Sequence, residues 1–317
     1  MIAVGGWGAA TIRSRAQYMI DLSIEAARHS NLRSDGAISK WLGIIVSAVV
    51  FGVAFSAARG INWTAVWLVV SANGLFWIAL TATYFHAPVA DIAMLGRLWN
   101  RPKGLFSTLC RKQIVNAVAL PYAGDGLLLA WARGRGIRAF GPVKDAAILS
   151  GIVGSLLTFI VVLPVWGSLA VALNLTPSSL FGSLGLLSAA PLVALLNRTS
   201  VFSLASSELW LMGAIHVARI SASIVLMALC WHSLLPAEPV QSWLLLAAAR
   251  MVVSRLPLLP NKELALAAVA TAMFPNSPQV GTVVMVTGLL LTLGHLVVWS
   301  ALLIRKEDGA TPGMAST

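Results

Sequence analysis

Asp125 is a carboxylate in the middle of an apolar stretch, residues 113–131, with Asn116, Pro121, Gly124 and Gly126 around it. At membrane depth such a group costs about 2.5–3.5 kcal/mol on insertion scales, so it must face a cavity or a partner. Pro121 and the two glycines free the backbone and let a ligand approach closely. The same spacing fits a second reading, a re-entrant turn in which Asp125 only caps the half-helix that follows.

A matching cluster surrounds the run SRLPLLPNKE, residues 254–263, where an apolar helix breaks at two prolines. Arg250, Arg255, Lys262 and Glu263 gather there. They can bind a ligand, or they can form an internal network, Glu263 with Arg255 or Lys262, that holds the hairpin together. His216 and Arg219 are three residues apart and share a helical face. Arg219 lies deep in its span and must point into the bundle, to hold an anionic headgroup or to neutralise Asp125. A lone buried histidine such as His216 is more commonly a packed, hydrogen-bonded residue. HExxH, Walker A and GxSxG signatures are absent. His86, His232 and His295 are scattered, and Cys110 and Cys230 lack metal spacing. No catalytic residue, metal site or cofactor is expected.

The elements that must position these groups follow from composition. The chain has 317 residues, of which 58% are hydrophobic and 10% charged. Soluble domains carry about 25% charged residues, so this chain needs lipid around it. The pattern predicts an all-α polytopic membrane protein with about six full spans, each long enough for the hydrocarbon core. These fall at 41–58, 63–85, 145–173, 179–196, 209–233 and 280–304. Two broken or re-entrant hairpins, 113–131 and 240–274, lie in an inverted arrangement between them. Residues 1–40 read as a cytoplasmic or interfacial segment, 41–304 as the integral domain and 305–317 as a cytoplasmic tail. Residues 86–112 read as a basic loop.

The net charge of +11 invites a nucleic-acid reading. The basic residues, however, sit between apolar runs, where cytoplasmic loops of membrane proteins concentrate them. Placing both termini inside leaves only Arg59 outside, with Arg219, Arg250, Arg255 and Lys262 near membrane depth. That asymmetry predicts a multi-pass protein of a bacterial cytoplasmic (inner) membrane with both ends cytoplasmic. The arginines of the first forty residues are too dispersed for a cleavable signal peptide, so the first span would direct targeting. Two interrupted segments entering from opposite sides are a pointer to a binding site near the bilayer midplane.

The run NAVALPYAGDGLLLAWARGRGI, residues 116–137, resembles the conserved segment of the lysylphosphatidylglycerol synthetase flippase-like membrane domain family. Asn116, Pro121, Gly124, Asp125, Arg133 and Gly136-Ile137 occupy the positions of its pattern. SRLPLLPNKE is similar to the family's second signature, but Asn261-Lys262 replaces a Gly-Gly pair and Glu263 comes early. The resemblance implies a stand-alone membrane domain, with no aminoacyl-transfer domain, that moves a lipid between leaflets. The expected substrate is an anionic amphiphile such as a phospholipid, polyprenyl or hopanoid-type lipid. Asn116, Pro121, Gly124, Asp125, Arg219, Arg250, Arg255 and Glu263 are the candidate substrate-binding residues. Membrane lipid is the expected partner, with lipid-synthesis enzymes as candidate protein partners and nucleic acid excluded. Two other readings stay open. One is a membrane-embedded lipid-modifying enzyme using Asp125 and Glu263 as an acid/base pair. The other is a non-transporting assembly partner of a lipid-synthesis pathway.

Overall fold

Asn73 decides where the first long helix begins. Its side chain accepts the amide of Phe76 at 2.9 Å, an N-cap that satisfies one of the four free donors of a helix start. The expected span 63–85 is therefore two helices, α1 (Trp63–Ser71) and α2 (Gly74–Asp91). Nor is 86–112 a loop. Helix α2 passes through Pro88 to Asp91 and continues as a π turn, Ile92–Gly96, and α3 (Leu105–Val118) begins soon after. The membrane-length segment is thus Gly74–Gly96.

This computed structural model describes residues 63–118, 123–167, 196–255 and 262–304, with a few isolated positions such as Arg59. All of them lie within one unit, Gly52–Thr317. The expected segments 1–40, 41–58 and 305–317, most of 179–196, and Pro121 lie outside the described residues, as does the side chain of Arg255. The remaining elements are α4 (Ala123–Arg133), α5 (Phe140–Val162, with a 3-10 turn at Leu163–Val165), the short α6 (Arg198–Val201), α7 (Ser206–Leu234), α8 (Val240–Arg255), α9 (Lys262–Met273) and α10 (Pro278–Ile304). Every regular element among the described residues is helical. Among the described residues, four segments are long and apolar enough to cross a membrane: Gly74–Gly96, Phe140–Val165, Ser206–Leu234 and Gln279–Ile304. The last two agree closely with expectation.

Helices α3 and α4 are about 21 and 16 Å long, too short for a hydrocarbon core of about 30 Å. They fold back on one another, Gly124 meeting Asn116. A Cβ on Gly124 would stand 2.2 Å from the Lys112 carbonyl oxygen and 2.9 Å from Asn116 Oδ1. Helices α8 and α9 form a second folded pair: Arg250 meets Glu263 and Lys262 reaches the Ser254 carbonyl. Helix α9 then runs antiparallel to α10, with Thr271 beside Gly281 and Glu263 beside Gly288. At the end of α4, Gly136 takes a left-handed φ of +70°. Its amide bonds the Arg133 carbonyl while that of Ile137 bonds Ala132, the Schellman closure that favours glycine after a helix.

Helix α2 lies antiparallel to α7, joined by Asn73 and Ser233 at one end and by Arg97 and Glu208 at the other. Apolar packing falls into two clusters. One joins α2, α7, α8, α9 and α10 around Phe76, Trp231, Leu246 and Leu266. The other joins the π turn, α3, α4, α5 and α7 around Leu95, Leu109, Leu128 and Met212. Small residues, among them Ala248, Ala249, Ala267 and Ala270, are fully covered and let the backbones approach closely. The outer faces carry exposed Ile78, Leu163, Trp210 and Val297, as a bilayer solvent requires.

The two glycines flanking Asp125 face different surroundings, since nothing lies within 4 Å of a Cβ on Gly126. Gly124→Ala is expected to lower stability by roughly 1–3 kcal/mol through backbone overlap. Gly126→Ala is expected to be neutral or stabilising, because alanine is the better helix former. Thermal unfolding of the two purified variants in one detergent checks the contrast.

Candidate functional site

The first charged cluster is organised by Lys112, on the inner face of α3. Its ammonium lies 2.8 Å from Asp91 Oδ2 and 3.0 Å from Asp125 Oδ1. Asp91 closes α2, one turn after Pro88 and directly before the π turn. π turns within helices mark functional sites with some frequency. The other oxygen of Asp91 stands 3.7 Å from Arg219, whose second terminal nitrogen donates to Ser150 Oγ at 2.9 Å. Helices α2, α5 and α7 and the α3–α4 pair thus converge on two acids and two bases, a set with no net charge. Asp125 sits in the first turn of α4, where a negative charge also favours the helix dipole.

The capping role belongs to Asn116. Its Oδ1 accepts the Gly124 amide at 2.7 Å, tying the end of α3 to the start of α4. Asp125 is therefore an ion-pair partner of Lys112, and Arg219 reaches Asp91 instead of the expected Asp125.

The second cluster is a forked ion pair. Arg250 NH2 lies 2.7 Å from Glu263 Oε1 and its Nε donates to Oε2 at 3.3 Å, while NH1 donates to Ser223 Oγ on α7 at 3.1 Å. Two parallel N–H donors on one carboxylate make this stronger and more directional than a point contact. Lys262 donates to the Ser254 carbonyl at 2.6 Å, satisfying an acceptor near the end of α8. Glu263 thus pairs with Arg250, while the side chain of Arg255, an expected partner, lies outside the described residues.

A polar thread runs between the clusters. Gln113, next to Lys112, donates to the Tyr84 carbonyl at 2.9 Å, and the Tyr84 hydroxyl meets His295 Nδ1 at 3.0 Å. His295 lies two turns along α10 from Gly288, which abuts Glu263.

Of the residues expected at the site, Asn116, Gly124 and Asp125 come together on the α3–α4 pair, and Arg250 and Glu263 on the α8–α9 pair. Arg219 joins the first cluster from α7. Sequence reasoning missed Asp91 and Lys112, which it assigned to a basic loop, and the serines that steady the two arginines. A usable signal existed: apart from Asp91, the segment Gly74–Gly96 contains no charged residue. Chemically, these clusters can exchange ion-pair partners and so admit a charged group at membrane depth. Among the described residues no group of three or more His, Cys, Asp or Glu could hold a metal ion. Comparison with protein-family models, curated proteins and solved structures returns no match.

Removing one partner of the forked pair leaves a mostly buried charge alone. Arg250→Ala is expected to destabilise by about 3–5 kcal/mol. The Arg250→Ala, Glu263→Ala double variant is expected to lose less than the two single losses combined. A double-mutant cycle on unfolding in detergent checks this, with coupling of at least about 1 kcal/mol expected.

Proposed function

We infer that this protein is a flippase-like lipid-transport protein that moves the polar headgroup of an anionic amphiphile between the leaflets of a membrane. The observation that carries the reading is the pair of clusters, Asp91–Lys112–Asp125–Arg219 and Arg250–Glu263. Each is built on a pair of helices too short to cross a bilayer. Ionisable groups at such depth face a substrate path or one another, and here they do the second in a form that can be opened. A phosphate-bearing headgroup would take over Arg250 as Glu263 lets go, and Arg219 as Asp91 lets go. Acyl chains would stay in lipid, beside the exposed apolar faces.

The resemblance of residues 116–137 to the flippase-like family supports this reading. Its Asn, Gly and Asp positions coincide with the residues that close and charge the α3–α4 pair, and its final Gly-Ile with the Schellman closure of α4. We read both short pairs as re-entrant hairpins, the first entering from the basic end of the bundle and the second from the opposite end. Arg97, Arg101, Lys103, Arg133, Arg135, Arg138 and Lys144 follow or precede helices at one end. The connections at 235–239 and 274–277 contain Glu238 and no basic residue. By the positive-inside rule the basic end is cytoplasmic, in a bacterial inner membrane.

Two experiments test this. Cysteine placed at Asn100 is expected to react with an impermeant maleimide only after permeabilisation, and cysteine at Asn276 in intact cells. The native Cys110 and Cys230 are buried and give little background. Reaction of both from the same side would refute the opposed hairpins. In proteoliposomes, wild type is expected to move fluorescent phosphatidylglycerol between leaflets. The Asp125→Ala, Glu263→Ala double variant should fall to the rate of empty vesicles. Undiminished exchange by that variant would remove both clusters from the substrate path.

A further inference from the structure

His216 is the one described histidine with both ring nitrogens buried and neither hydrogen-bonded to the protein. It is 2% exposed. His86 and His295, by contrast, have partners in the Thr83 carbonyl and the Tyr84 hydroxyl. Buried polar groups are satisfied in the large majority of cases, and an exception asks for a reason. The Ala146 carbonyl lies close by, outside hydrogen-bond geometry.

The surroundings supply a reason. His216 lies one turn before Arg219 on α7, and Arg219, Asp91 and Lys112 all act on it electrostatically. From α2 it is approached by Asp91. Lys112 comes from α3 with Asp125 of α4 behind it, and Ser150 of α5 holds Arg219. Two other pairs on neighbouring elements are already closed. Lys144 and Asp145 at the start of α5 pair at 2.9 Å, and Asp145 accepts the amides of Ser203 and Leu204. Glu208, on α7 itself, pairs with Arg97. The nearest set, Asp91, Asp125, Lys112 and Arg219, is balanced without His216. A proton on the imidazole adds one unmatched charge to it.

We propose that His216 is a proton-binding site that couples headgroup movement to the proton gradient by redirecting Asp91. This rests on the translocation reading above. A proton from one aqueous face bonds to a ring nitrogen lone pair. Asp91 then turns to the imidazolium and releases its hold on Lys112 and Arg219. Arg219 is left able to take a phosphate oxygen, and Lys112 keeps Asp125 alone. Loss of the proton to the other face restores the original pairs, so one proton crosses per cycle and nothing is oxidised or reduced. Asp91 can make this move because its helix is already irregular there, with Pro88 one turn before and the π turn after.

The test has two readouts. Potentiometric titration of the purified protein in detergent from about pH 7.5 to about 3.5 covers the histidine range and its acid side. His216→Gln and His216→Asn, each eluting as wild type on size exclusion, are expected to take up about one proton fewer. Equal uptake by wild type and both variants overturns the proposal. In vesicles of phosphatidylethanolamine and phosphatidylglycerol, an imposed pH gradient is expected to speed exchange of labelled phosphatidylglycerol several-fold in wild type. In either variant the ratio of rates with and without the gradient should fall to about one. An unchanged ratio in the variants, or no gradient response in an active wild type, overturns the coupling. A proton difference in a wild type that moves no lipid supports the proton site and refutes the translocation reading.

Discussion

A charge in hydrocarbon must be paired, and in this bundle the pairing runs between different helices. Lys112 meets Asp91 and Asp125, Arg219 meets Asp91, and Arg250 meets Glu263. Lipid gives helices little apolar reason to associate with one another over association with acyl chains. Small-residue packing can bring two helices together at several registers. An ion pair at depth tolerates one, because every other register strands a charge. The close approach at Gly124, the cap from Asn116 and the serines that steady both arginines follow from fixing those registers.

Buried ion pairs are poor sources of net stability, since desolvation offsets most of their attraction and well-packed apolar residues often do better. What they contribute in this bundle is therefore register more than net stability. Both sit on pairs of helices each shorter than a full span. Asp91 adds a further irregularity, placed between a proline and a π turn. On the translocation reading, that irregularity is where a pair would open.

The full spans were legible where apolar sequence runs without interruption, as in α7 and α10, whose observed ends lie within a few residues of expectation. Pro257 and Pro260, which cannot continue a helix, lie outside the described residues, between the end of α8 and the start of α9. The stretch 86–112 misled because its basic residues resemble a cytoplasmic loop. Lys112 looks identical in sequence whether it faces water or two carboxylates. Only the third dimension shows that it lies on the inner face of α3. Pairing was the least legible feature of all. Arg219 could have met Asp125 or Asp91, and Glu263 could have met any of several bases, because no local spacing selects among partners so far apart. Asn73, by contrast, was readable as an N-cap, and giving it that weight would have moved the first described span to its observed start.

Helix α10 connects what the two clusters do. Gly281 and Gly288, seven residues apart, lie on one face of it against α9, and His295, seven further on, meets Tyr84 on α2. Beyond it, the Leu302 carbonyl accepts from Arg111 on α3. The first half of this rod thus rests on the pair that carries Glu263, and the second half on the pair that carries Lys112. The absence of a side chain at Gly288 brings the rod close to Glu263, so that, on the translocation reading, a shift in α9 would be passed along α10. Gln113 and Tyr84 complete the path back to the first cluster. Communication between the clusters would then need no long-range field, which salt and lipid would screen unevenly. It would need one stiff helix with small residues at one contact and hydrogen-bonding residues at the other.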